Sequence, residues 1–168
     1  MPYIVPNMKL IPQTLSDSCW YASAQMLINW KQEQKQQSFK DLVPPEFDAE
    51  CRNLRDDNDG INNPQIVAMA KRLGLKAVPP MSPTPGAIEG WLKNYGPLWV
   101  NGKKHIVVIA GIAPAGVLGY QLLVYDPWDI NVGKVVWRGM SDWYFGSDRS
   151  SADTGPRVEA IFLYCPEL

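Results

Sequence analysis

A single histidine, His105, and only three cysteines, Cys19, Cys51 and Cys165, are spread over 168 residues. One imidazole with no close cysteine pair cannot build the usual four-ligand zinc site, so no metal is expected. Three scattered thiols make no disulfide framework. A Cys51 to Cys165 bridge is the one alternative weighed here, against two reduced and partly buried thiols. Neither sign of charge dominates: 16 basic and 17 acidic residues leave a net charge of -1, which gives no electrostatic argument for a nucleic acid or an anionic membrane as partner. No apolar run approaches the ~20 residues of a membrane-spanning helix. The opening Met1-Pro-Tyr-Ile-Val-Pro6 has neither the basic start nor the continuous apolar stretch of a secretory signal, so none is expected. The acidic cluster Asp56-Asp57-Asn58-Asp59-Gly60 lacks the spacing and final glutamate of a calcium loop and reads as an exposed turn.

What is present supports a real core. Hydrophobic residues make up 46% of the chain, and its length suits one domain over residues 1–168 that needs no covalent staples. Helical periodicity comes first. Trp20, Ala24, Leu27, Ile28 and Lys31 share one face of a helix expected to start at Cys19, behind the capping residues Ser16, Asp17 and Ser18, and to end near Gln36. Residues 38–55 read as short helical turns broken by Pro44-Pro45. Asn63-Pro64 reads as cap and first position of a helix stopped by Gly74. A proline-rich connection, 78–85, leads to a short helix through Tyr95 that Gly96-Pro97 ends.

From there the period shortens to that of strands: Leu98–Val100, His105–Ile112, Tyr120–Tyr125, Lys134–Trp137 and Val158–Tyr164. Turn signals at Pro114-Ala-Gly116 and Asn131-Val-Gly133 separate them. The span 137–156 reads as a surface connection whose Trp143, Tyr144 and Phe145 serve packing. Helices followed by strands predict an α+β fold, with a helical N-terminal half on a C-terminal antiparallel sheet. No internal repeat or low-complexity tract interrupts it.

Two segments carry chemistry. Gln13-Thr-Leu-Ser-Asp-Ser-Cys19-Trp20 puts a cysteine at the first turn of a helix, where the helix dipole and a nearby imidazolium both favour thiolate. His105 heads an apolar strand, and Leu122-Leu-Val-Tyr-Asp126-Pro127-Trp128 is a second one ending in a carboxylate. If those strands pair, Asp126 stands beside His105. Taken singly, Cys19 is equally a small core residue and His105 a structural histidine. Their combination points to a thiol nucleophile, its base and an orienting acid.

Glutamine six positions before Cys-Trp, a distant histidine and then Asp-Pro-Trp resemble the papain-like cysteine peptidase clan. The resemblance runs from Ile11 to about Gly133 and is weak between residues 32 and 95. It implies a papain-like fold with the active-site cleft between the halves, Cys19 as nucleophile, His105 as acid and base, Asp126 as orienter, and Gln13 with the Cys19 N–H as oxyanion donors. Trp128 corresponds to the tryptophan that shields the orienter–histidine bond, and Trp20 follows the nucleophile as in the clan; both are candidates for shielding or substrate contact. No cofactor is implied. Because the clan uses Asn or Asp as orienter, the resemblance also implies that Asn would serve at position 126. Ser18 before the cysteine, and no Cys-Gly-Ser-Cys-Trp signature, set the chain apart from the lysosomal type.

The segments Gly96-Pro-Leu-Trp-Val100, His105–Ile112 and Tyr125–Trp128 resemble short bacterial effector proteases and the leader peptidases of bacteriocin exporters, which cut after Gly-Gly. That likeness implies an endopeptidase acting on a protein or peptide substrate near a Gly-Gly pair. It would be made in the bacterial cytoplasm without a signal peptide, and exported by a specialised secretion system into a target cell's cytoplasm. A toxin of this kind implies a cognate immunity protein over the cleft. Two other classes stay open: a glutamine deamidase, transglutaminase or peptidoglycan amidase on the same triad, and a non-enzymatic binding module on the same fold.

Overall fold

The computed structural model describes residues 2–35, 42–78, 84–101, 105–117, 119–140 and 162–166. The elements run β1 (Tyr3–Ile4), α1 (Cys19–Lys35), a 3-10 turn (Pro45–Phe47), α2 (Ala49–Asp57), α3 (Asn63–Leu73), β2 (Lys76–Ala77) and α4 (Pro85–Tyr95). After them come β3 (Leu98–Asn101), β4 (Ile106–Pro114), β5 (Tyr120–Asp126), β6 (Lys134–Gly139) and β7 (Phe162–Tyr164). The fold is α+β, helices leading and an antiparallel sheet following, as the periodicities predicted. The strands form one sheet in the order β2-β7-β3-β4-β5-β6, with β1 also paired to β4.

Register sets the site. β4 and β5 align Val108 with Tyr125 and Ile109 with Val124; extending that register by one pair brings Asp126 opposite Val107, two residues from His105. The register slips between Ile109 and Gly111, and the Ala110 carbonyl accepts from the Val5 N–H at 2.8 Å. Gly111 permits the close packing there, since a Cβ on it would lie 3.0 Å from the Leu123 Cβ and 3.2 Å from the Tyr3 carbonyl oxygen. β5 and β6 pair without a slip, Asp126 with Lys134 and Leu122 with Arg138.

The sheet is covered on both faces, where the sequence predicted a helical half on one. Trp20, Leu27, Met69 and Leu73 from α1 and α3 pack with Trp99, Ile106 and Val108 on one face. Ile88, Trp91 and Leu92 of α4 pack with Leu98, Val100, Val107 and Ile109 on the other. Double coverage explains why β3 and the start of β4 are buried without alternation, whereas β6 at the sheet edge alternates half-buried and exposed residues. Burying such two-sided strands contributes roughly 1.5–3 kcal/mol per large aliphatic side chain.

Several boundaries differ from the sequence reading. Asn62, not Asn63, caps α3: its side chain accepts from the Gln65 N–H while the Gln65 side chain accepts from the Asn62 N–H, a reciprocal box that outcompetes a cap one residue later. The turns expected through residue 55 consolidate into a nine-residue helix, α2, because Asp48 caps it by accepting from the Cys51 N–H at 3.0 Å. β1 and β2, two residues each, carried no periodicity to read. Cys51 and Cys165 are not bridged; both are free and buried. Residues 36–41, 79–83 and 141–161 lie outside the described residues, and with them the expected end of α1 at Gln36, most of the proline-rich connection, the beginning of the last strand at Val158 and Trp143, Tyr144 and Phe145.

Candidate active site

Cys19 is the first residue of α1, so its side chain sits at the positive end of a 17-residue helix. The expected serine cap is not how that end is built. The Ser18 hydroxyl turns back, accepting from the Leu15 N–H and donating to the Leu15 carbonyl, both at 3.1 Å, while the Ser18 carbonyl takes the Tyr21 and Ala22 N–H groups. The loop before the helix is held from two sides. Gln13 donates its N–H to the Pro127 carbonyl at 3.0 Å and accepts from the Asn131 N–H at 2.9 Å. Across the loop, Asn58 accepts from the Asp17 N–H and donates to the Ser16 hydroxyl, each at 2.8 Å. Asn58 adopts a left-handed conformation, φ 54°, at the C-terminal cap of α2, a geometry asparagine tolerates better than most residues. The cluster read as an exposed turn therefore ties α2 to the loop before Cys19.

His105 stands just before β4, with Nε2 2.6 Å from Asp126 Oδ1. That bond leaves Nδ1 as the nitrogen free to face Cys19, whose thiol interacts with the imidazole and helps to raise its pKa. Burial alone would lower the pKa of His105, but the hydrogen bonds and charges of Asp126 and Cys19 outweigh it and raise it to about 9. Asp126 is completely buried. Burial would raise its pKa, yet the bonds from His105, the Trp128 N–H and Arg138 hold it down at about 2. Oδ1 accepts from the Trp128 N–H at 2.9 Å as well as from His105, and Oδ2 accepts from an Arg138 terminal nitrogen at 2.6 Å.

Gln13 is buried, but its amide is not free. Its Nε2 donates to the Leu15 carbonyl at 2.7 Å and to the Ser16 carbonyl at 2.9 Å, which uses both of its hydrogens. Its Oε1 is buried with no partner among the described residues. Flipping the amide would face an oxygen toward two carbonyls, so this orientation is the favourable one.

The two tryptophans separate. Trp128 is half-buried, its ring meeting the His105 ring edge-on with centroids 6.4 Å apart. Trp20 is 1% exposed, lies edge-on to Tyr21, and its carbonyl accepts the Trp99 indole N–H at 3.1 Å. Trp20 is thus a core residue at the start of α1 and offers no surface for substrate, which corrects the substrate-contact half of its expectation. The interior demands a large apolar group at the second position of α1, and the motif hides that demand.

The structure brings together Cys19, His105, Asp126, Gln13 and Trp128. Sequence reasoning missed Arg138 and Asn58. Arg138 is legible only after β6 is registered on β5, and Asn58 contacts residues some 40 positions away. Among the described residues no three histidine, cysteine, aspartate or glutamate side chains cluster as a metal would need, and no helix is long and apolar enough to cross a membrane.

In structure, the chain is similar to UfSP from C. elegans, with a TM-score of 0.58 and 14% sequence identity over 99% of this chain. The chain spans about a third of that protein, 35% of its length. No curated protein matches the sequence. Residues 3–142 match the family described as papain-like cysteine protease AvrRpt2. That match takes in α1 with Cys19, His105 and the strand that ends in Asp126, and the chain belongs to this family of papain-like cysteine proteases.

Proposed function

We propose that this cysteine peptidase is an endopeptidase delivered into a target cell as a bacterial effector or interbacterial toxin, and that it cuts a protein at or near a Gly-Gly pair. The observation that carries the catalytic reading is the 2.6 Å contact of His105 with the buried Asp126, together with the interaction of Cys19 with the same imidazole. In this reading the Cys19 thiolate attacks the substrate carbonyl, and its N–H and Gln13 Nε2 hold the oxyanion. His105, charged at neutral pH, gives its proton to the leaving amine, and water then releases the acyl group from sulfur. Asp126 keeps the imidazole in the required tautomer. For Gln13 to donate, one Nε2 hydrogen must leave the Leu15 or Ser16 carbonyl as substrate arrives.

The effector role rests on the likeness of the segments around Trp99, His105 and Asp126 to short bacterial proteases. Such a role carries with it a specialised export route and, for a toxin, an immunity protein made alongside it. The Gly-Gly preference rests on the same likeness. Trp128 beside His105 is consistent with narrow access to the thiol, where side chains next to the scissile bond would collide.

Peptides that differ only in the two residues before the cut, Gly-Gly, Phe-Arg and Leu-Leu, test the reading when products are followed by intact mass. Two fragments from the Gly-Gly peptide, formed fastest, are expected. Faster cleavage of the bulky pairs would reject the narrow site. A mass gain of about one dalton without fragments would make the enzyme a deamidase on the same residues.

A further inference from the structure

We infer that Arg138 is a positioning residue that makes a carboxylate obligatory at the orienting position of the triad, so that Asn cannot replace Asp126 while Arg138 is present. The inference rests on the proposed roles of Cys19, His105 and Asp126, and it reverses the expectation that an amide would serve at that position.

Asp126 Oδ1 faces two donors, His105 Nε2 and the Trp128 N–H. Oδ2 faces a third, the Arg138 guanidinium. All three approach a side chain with no exposure, and the Arg138 side chain is itself only 12% exposed. A carboxylate accepts at both oxygens, whereas an amide accepts at one and donates at the other. With Asn at 126, either its NH2 points at Arg138, donor against donor beside a buried cation, or it points at His105 and the Trp128 N–H. Arginine has no acceptor and does not lose its proton. The amide oxygen is therefore drawn to Arg138 and the NH2 to His105, which forces Nε2 to accept and destabilises the imidazolium. In the serine-protease triad the same wrong-tautomer substitution lowers kcat about 10⁴-fold, a worked precedent for the mechanism rather than a value for this protein.

Arg138 reaches Asp126 because β6 pairs with β5 in unbroken register. Asp126 stands opposite Lys134, and Arg138 opposite Leu122, so both lie on the same face as Val124 and Val136. The guanidinium thus runs along that face toward the carboxylate. Gly133 lets the strand start there. Its φ is +64°, and a Cβ on it would lie 3.1 Å from the Asp126 carbonyl oxygen. The charged and titratable groups in contact with the carboxylate are His105 and Arg138, with Cys19 beyond the imidazole; Lys134 pairs with Asp126 through the backbone across the strands.

The test is a suppressor experiment read without substrate: the rate of Cys19 alkylation by iodoacetamide near pH 6, followed by peptide mass, in D126N, R138M, D126N/R138M and D126N/R138K. D126N is expected to slow alkylation about tenfold or more, because an imidazolium no longer supports the thiolate. Adding R138M should recover most of that loss, since the amide is free to turn its oxygen to His105. Adding R138K should not, because an ammonium needs an acceptor as much as a guanidinium does. The proton resonances of the sole histidine read the same change, its midpoint falling in D126N and rising again in D126N/R138M. Thermal unfolding guards against misfolding: D126N/R138M should melt no lower than either single variant, each of which leaves a buried partner unpaired. Alkylation in the double variant at or below that of D126N, or a double variant that unfolds while D126N stays folded, overturns the inference. If the wild type alkylates rapidly but cuts no peptide, the proposed endopeptidase function fails and this one stands.

Discussion

The His105 imidazole and the Asp126 carboxylate meet at 2.6 Å inside the protein, and each shifts the other's titration: His105, with Cys19 adding to the effect, rises to about 9, and Asp126, with the Trp128 N–H and Arg138 adding to it, falls to about 2. Two consequences follow for pH. Free histidine titrates near 6.5, so the stability that the pair lends through His105 is complete below about 6.5 and is lost as pH rises through about 9. Through Asp126 it is complete above about 4 and is lost as pH falls through about 2. Urea midpoints should therefore be flat between those windows and fall outside them, and Asp126→Ala should flatten both edges. Activity should keep its basic limb near 9, where the imidazolium that protonates the leaving amine disappears. A basic limb near 6.5 would mean that the pair is not formed in the working enzyme.

Cys19→Ala and His105→Ala should each abolish turnover and keep the fold, with the melting temperature little changed in Cys19→Ala and lowered in His105→Ala, which takes the imidazole from the buried Asp126 carboxylate. Cys19 loses one sulfur at a helix end, and His105 lies outside the strand ladder. Removing one member of a cooperating pair typically removes most of the chemical rate. Circular dichroism and a peptide assay on the same preparations check both halves of this prediction.

Gln13→Ala is expected to do two things. Losing an oxyanion donor costs on the order of a hundred- to a thousandfold in kcat. Losing the bonds to the Leu15 and Ser16 carbonyls should also cost about 1 kcal/mol of stability, because those carbonyls lose a buried partner. An unchanged kcat in a destabilised protein would make Gln13 a strut for the loop and nothing more.

Asn58→Gly isolates the strut at the other side of the loop. Glycine keeps the left-handed backbone but deletes the side-chain bonds to Ser16 and Asp17, so about 1–2 kcal/mol of stability should be lost without backbone strain. If the loop positions Cys19, kcat falls more than KM rises. A pure KM effect would detach Asn58 from the nucleophile.

Iodoacetamide should select Cys19 over Cys51 and Cys165 at neutral pH. Burial pushes the thiols of Cys51 and Cys165 up to about 12, and they are 0% and 1% exposed. Peptide mapping after brief labelling reads the selectivity, and comparable labelling at all three sites would show that the packing around Cys51 and Cys165 opens readily.

The grouping of Cys19, His105 and Asp126 was legible because each carries a local signal: a cysteine at a helix start, a histidine at the head of an apolar strand, an aspartate at the end of another. The strand pairing that unites His105 and Asp126 was also foreseeable, since consecutive antiparallel strands usually lie side by side. Arg138 was not, because an arginine on an edge strand looks solvated until the β5–β6 register aims it at a buried acid. Nor was the coverage of the second face, for α4 has the same amphipathic pattern whichever side it takes. Trp20 misled because a core requirement and a family motif call for the same residue. The engagement of Gln13 Nε2 by two carbonyls depends on how the loop from 13 to 18 folds, and no periodicity reports on a loop.

The central claim is that peptide cleavage passes through an acyl group on Cys19. Acid quenching of the enzyme during turnover of a Gly-Gly peptide, followed by mass analysis of the Cys19 peptide, tests it most directly. The account predicts a thioester on Cys19 with the mass of the N-terminal fragment, absent from Cys19→Ala. Continued cleavage by folded Cys19→Ala, with no acyl group on sulfur, would contradict it.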